Sequence, residues 1–188
     1  MAPSSSADRS YFRVTCPAII RYCELERLPR GRSPYTLFGE ESEFGLMRDL
    51  RRLDTESSQL LHAINDNDRS VGAYLAVINK KIETMARYVA ALSPQANAGT
   101  DQTISLSEGG LAFYPDRELE TGTILALHIT LLPSYSAVAV YGIVTAPDAH
   151  TNDDATGVQF AQLQDAERQL IARHVMQVQM AARRKTTD

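Results

Sequence analysis

The stretch "SLSEGGLAF" (Ser105–Phe113) decides how the second half of this chain is read. Two serines, an acid and two adjacent glycines run straight into an apolar strand. Such a stretch is either a turn at the start of a strand or one half of a site for anions and bases. Beyond it, apolar residues recur at every second position. "TILALHITLL" (Thr123–Leu132) sets Leu125, Leu127, Ile129 and Leu131 on one face, and "AVAVYGIVT" (Ala137–Thr145) follows the turn "PSYS". The two segments predict a hairpin. "APDAHTNDDATG" is a polar loop, and "GVQFAQL" reads as a closing strand. Several short strands joined by turns suggest a small barrel or sandwich. "DAERQLIARHVMQVQMAARR" then predicts a terminal helix, with Asp165 as cap, an apolar stripe of Leu170, Ile171, Val175 and Val178, and basic residues at its C-terminal end.

Upstream, "YFRVTCPAIIRY" (Tyr11–Tyr22) is rich in β-branched and aromatic residues. It predicts a strand interrupted at Pro17, which marks an edge or a bulge. Between the two β regions the period becomes helical, from about Glu41 to Leu92. Leu46, Leu50, Leu53, Leu60, Ile64, Asn67, Val71, Leu75, Ile78, Ile82, Met85, Val89 and Leu92 fall at spacings of three and four, with Ser57 filling a gap. Two consecutive fours, Asn67 to Val71 to Leu75, read as a stutter in a heptad repeat.

So long and narrow a stripe outgrows what one small β domain covers, and its natural partner is another copy of itself. Asn67 within it would specify register and oligomeric state. The other packing is an antiparallel helical hairpin folded on the sheet and broken at "NDNDRS" (Asn65–Ser70), which combines poor helix formers with good N-caps. Ser93-Pro94 stops the helix, and "QANAGTDQ" is a linker.

The composition sets bounds. The chain has 188 residues, 44% of them apolar and 22% charged, with a net charge of −4. That is the profile of a globular protein without general affinity for nucleic acid polymers. Cys16 and Cys23 are too few for a disulfide framework and lack metal-ligand spacing, which suits a reducing cytoplasm. "MAPSSSADRS" is not a signal peptide, and no run reaches the length needed for membrane insertion.

Catalysis is not supported. His62, His128, His150 and His174 are scattered, and His128 reads as a barrel-wall residue. No serine sits in G-x-S-x-G, no phosphate loop is present, and Asp153 and Asp154 are solvated loop acids. No enzyme, catalytic residue, metal or cofactor is expected.

Arg9 and Arg13 form an R-x-x-x-R just before the first strand, and "SLSEGGL" opens the β region. Together they resemble the PilZ domain, a family of bacterial receptors for cyclic di-GMP. Its pattern is R-x-x-x-R followed by D/N-x-S-x-x-G at a strand junction. The first strand, "GVQF" and the terminal helix are also similar to that family, over roughly residues 9–25 and 103–182. The helical region resembles the heptad-bearing insert through which a subset of PilZ proteins forms tetramers.

The resemblance implies an α+β fold, mainly β: a small antiparallel barrel with a C-terminal helix and a long helical coiled-coil insertion. Residues 1–8 would be a flexible leader, 9–34 the first part of the barrel, 35–95 the insertion, and 96–188 the rest of the barrel plus the terminal helix. It implies Arg9, Arg13, Ser105, Ser107 and Gly110 as nucleotide-binding residues. Arginine's planar fork fits phosphate or a guanine edge with two hydrogen bonds. Ser105 stands where the family has Asp or Asn, and a hydroxyl cannot make the bidentate contact of a carboxylate. Such a loss costs about 1–3 kcal/mol, roughly ten- to a hundredfold in affinity. The expectation is therefore an oligomeric, tetrameric scaffold or adaptor with an unidentified protein partner and weakened or absent ligand binding. The alternative is a working receptor.

Overall fold

A computed structural model of the chain describes residues 12–39, 43–92, 98–146 and 154–187. The leader, Arg9, Ser93-Pro94, His150, Asp153 and the side chain of Leu46 lie outside this description.

Strand β1 (Val14–Leu25) closes the sheet by serving two neighbours in turn. It pairs antiparallel with β2 (Thr100–Ser107) from Val14 opposite Leu106 to Ile20 opposite Thr100. It pairs with β4 (Ile124–Leu131) from Ala18 opposite Leu131 to Leu25 opposite Ile124. With β3 (Gly110–Phe113), β5 (Ser136–Val144) and β6 (Thr156–Ala161), the order is a closed barrel, β1-β2-β3-β6-β5-β4. Closure removes the unpaired edges that a sheet otherwise exposes.

Pro17 fits this handover. The β4 ladder begins one residue later, at Ala18, and the Pro17 carbonyl accepts from Leu132 N at 3.1 Å. Its register opposite Thr103 is unbroken, so it is a local edge and not a bulge.

The alternation read from the sequence fills the interior. Val14, Leu106, Leu111, Val158 and Val144 follow one another around the wall in register, each at most 7% exposed. Leu125, Leu127, Ile129 and Leu131 line the β4 wall. Helix α3 (Asp165–Thr187) adds Ile171 and Val175 to this core and packs Leu170 and Val178 against it. Asp165 is the first helical residue, not the cap, because the first-turn bond runs from Arg168 N to Gln164 O at 2.9 Å. Asp165 and Glu167 instead place negative charge at the positive end of the helix.

The helical region breaks inside Asn65–Ser70, as the alternative reading of the sequence has it, and departs from the continuous stripe. A short 3-10 turn (Pro34–Leu37) leads to α1 (Glu43–Asn67) and α2 (Arg69–Leu92), and the chain reverses between the helices at Asp68. Asp68 N donates to Ile64 O at 2.7 Å, and Asp68 O accepts from Gly72 N at 2.9 Å. The Asp68 carboxylate caps α2, accepting from Ser70 N (2.9 Å), Ser70 Oγ (2.6 Å) and Val71 N (3.2 Å). Those bonds hold its carboxyl below the usual carboxylate range.

The reversal depends on Gly72, where an added Cβ would lie 2.7 Å from Asn65 Oδ1 and 2.8 Å from Asn65 Cα. The two consecutive fours are therefore a corner, and the single continuous stripe expected across Asn67 is corrected to two stripes on two helices. Among the described residues, α1 and α2 pack substantially only on each other, so this hairpin does not fold onto the sheet. Leu50, Leu75 and Ile78 are half-buried. Leu53, Leu60, Ile64, Asn67, Val71, Ile82, Met85, Val89 and Leu92 are exposed.

Candidate functional site

The outer face of the barrel carries the other set of alternating positions. One register row runs Thr15, Ser105, Ala112, Gly157 across β1, β2, β3 and β6. The next runs Ser107, Gly110, Gln159, and Arg13 lies one residue before Val14, where the β1–β2 ladder begins opposite Leu106. Apart from Gln159 these rows form a floor of small side chains, and the exposed Arg13 borders them. Ser107, Gly110, Ala112 and Gly157 are buried, and a Cβ on Gly157 would stand 2.7 Å from Thr145 Oγ1, so the exposed part of this surface is made by Thr15 and Gln159, with Ser105 half-buried.

The question posed by "SLSEGGLAF" has a local answer. Ser107 and Gly110 are the closing pair of the β2–β3 hairpin, and the buried Ser107 Oγ donates to Gly110 O at 3.1 Å. A Cβ on Gly110 would stand 2.3 Å from Val158 O, so glycine is required where β3 approaches β6. Phe160 N donates to Gly109 O at 2.9 Å and ties the same turn to β6. Ser107 and Gly110 are thus explained by the barrel itself. Ser105 and Thr15 sit opposite each other with hydroxyl side chains on the outer face, and none of the floor positions named above bears a carboxylate.

Of the five expected site residues, Arg13, Ser105, Ser107 and Gly110 share this corner of the barrel, and Arg9 lies outside the described residues. Sequence reasoning missed Thr15, Ala112 and Gly157. The period of two in β1 signals Thr15, because Arg13 and Thr15 must fall on one face. His128 is a buried residue of β4 whose ring stands 5.5 Å from that of Phe38. Cys16 is an inward core residue, and burial pushes its thiol up to about 11. Among the described residues, no cluster of His, Cys, Asp and Glu is arranged to hold a metal ion. No helix there is long and apolar enough to cross a membrane.

The PilZ domain family model matches residues 84–177, half of the chain. The chain belongs to the PilZ domain family. The matched stretch contains β2 to β6, the Ser105–Gly110 turn and the start of α3, and it excludes Arg9 and Arg13. A PilZ domain is a cyclic di-GMP receptor module, which sets the ligand class the floor has to be judged against. Among solved structures the chain is similar to a pathogenic protein from Xanthomonas campestris, a tetrameric PilZ domain self-assembled via an unusual helical bundle. The two share 11% identity over 93% of this chain and 91% of that one, with a TM-score of 0.52. At that identity the likeness is one of fold. No curated protein matches the chain.

Proposed function

We propose that this PilZ-domain protein is a self-assembled, non-enzymatic scaffold or adaptor in bacterial motility, pilus or virulence signalling, with cyclic di-GMP binding weakened or lost. The observation that carries this reading is the surface of α2. Met85, Tyr88 and Leu92 are 68%, 71% and 82% exposed, on a helix whose charged residues are Arg69, Lys80, Lys81, Glu83 and Arg87. The large apolar side chains of α2 occupy a broad face, and many of them stay exposed beside α1, which leaves an apolar face that calls for further cover. Copies of the same hairpin supply the rest, in a helical bundle of four chains like that of the Xanthomonas protein. Residues 35–95 then act as the assembly element between the two parts of the barrel, in the cytoplasm, and present the barrels to a protein partner. Ser105 supports the weakened ligand site, since the floor offers hydroxyls where a guanine edge calls for a carboxylate or amide.

A second reading, a working receptor, is favoured by one placement: Arg13 stands at the margin of the small-residue floor, where an arginine fork would clamp a phosphate. Calorimetric titration with cyclic di-GMP separates the two, run on the wild type and on an Arg9→Ala, Arg13→Ala variant. The scaffold reading expects no heat up to several hundred micromolar ligand. Micromolar binding that disappears in the double variant would replace it with the receptor.

A further inference from the structure

The barrel and the helical hairpin are joined by two crossings, and both run over one arginine. Ahead of α1, the segment 32–38 lies over the outer faces of β4 and β5. Tyr141 Oη donates to Arg32 O at 3.1 Å, Pro34 is buried, and the Phe38 ring rests near His128. Arg21 is the register partner of His128 and meets Phe38 from β1. Its guanidinium carbon lies 5.2 Å from the Phe38 ring centroid, and Nη2 donates to Phe38 O at 3.5 Å.

After α2, the chain returns to the barrel at Gly99, where φ is +134°. A Cβ there would fall 2.6 Å from Ile20 O and 2.8 Å from Arg21 Cγ. The head of Arg21 therefore holds the outgoing crossing while its aliphatic stem bears on the returning one. An open cleft of about 630 Å³ lies at this neck, lined in part by Arg21, Phe38 and Gly99.

We propose that Arg21 is a latch that holds both crossings, the segment ahead of α1 at Phe38 and the returning chain at Gly99, against β1 of the barrel. Guanidinium suits this double task. Its plane stacks on an aromatic ring while its N–H groups reach a carbonyl, and lysine's compact ammonium does not make both contacts at once. Arg13 immediately precedes β1 and Arg21 lies on its outer face, eight residues further on.

Hydrogen exchange on the full-length assembled protein tests the latch. In Arg21→Ala, segments 33–39 and 98–102 should exchange about fivefold faster, the size of one partly desolvated cation–π contact. The β4–β5 ladder should keep its protection. Phe38→Leu should speed 33–39 to a similar degree. Arg21→Lys, which keeps the stem and the charge but not the plane, should restore 98–102 and leave 33–39 fast. Unchanged exchange at both crossings in Arg21→Ala, a rise of equal size across the ladder, or full restoration of 33–39 by lysine would each overturn the proposal.

Discussion

Leu127 in β4 and Leu92 at the end of α2 are the same side chain in opposite circumstances, one 0% and the other 82% exposed. The difference belongs to the two regions and not to the residues. In the barrel, every inward position finds partners within its own chain, because six strands close on themselves and α3 adds Ile171 and Val175 to the core. In the hairpin, two helices cover one side of each other and leave the remaining apolar surface facing outward. One region is complete as a single chain. The other, on the proposed assembly, is completed by further copies of the chain.

The largest effect expected from that contrast lies in the barrel. Leu127→Ala should destabilise the fold by about 3–5 kcal/mol, because the closed wall has little freedom to collapse around the cavity. Leu92→Ala should leave the barrel's free energy of unfolding in urea within about 0.5 kcal/mol of wild type. Comparable losses at both positions would break the comparison.

Next in size, Gly110→Ala should cost about 2–3 kcal/mol, since the added methyl meets the Val158 carbonyl where two strands approach closely. A neutral result in denaturant unfolding would mean that β3 and β6 separate easily and that the barrel wall is softer than its register implies.

The smallest effect is one of pH. His174 is buried on α3, and burial lowers its pKa from the ordinary 6.5. The folded state therefore keeps the imidazole neutral while the unfolded chain protonates first. Stability should be full above about pH 6.5 and decline as pH falls from there toward the lowered folded value. Melting curves of His174→Leu should show a flatter acid slope than wild type. An identical slope would assign the acid sensitivity to other groups.

The β half of the fold was legible because its period is local and unambiguous. Leu125, Leu127, Ile129 and Leu131 alternate inward as read, and the "PSYS" turn joins the strands that it was expected to join. The helical corner was not legible from spacing alone. A step of four across Asn67, Val71 and Leu75 is the same number whether a coiled coil unwinds or a chain turns back. The break itself was legible as the alternative at "NDNDRS", and Asp68 within it caps the new helix; Gly72, costly inside a helix and free to lie against Asn65, was the signal left unread.

The candidate site divided in a similar way. Ser107 and Gly110 were visible as motif residues because the turn itself requires them. Thr15 was hidden because a threonine in a strand is ordinary. Arg21 went unremarked because its partners, Phe38 and Gly99, lie on either side of the insertion and meet only in three dimensions.

Light scattering on the wild type and on an Ile82→Glu, Met85→Glu, Val89→Glu variant tests the central claim most directly. All three positions are exposed on α2, so the single-chain fold has no need of them. The wild type should appear at a multiple of 20.8 kDa, four copies by the proposed bundle, and the variant at 20.8 kDa with the barrel's melting unchanged. A wild type of 20.8 kDa, or a variant that keeps the wild-type mass, would contradict the claim that the hairpin is completed by other copies of the chain.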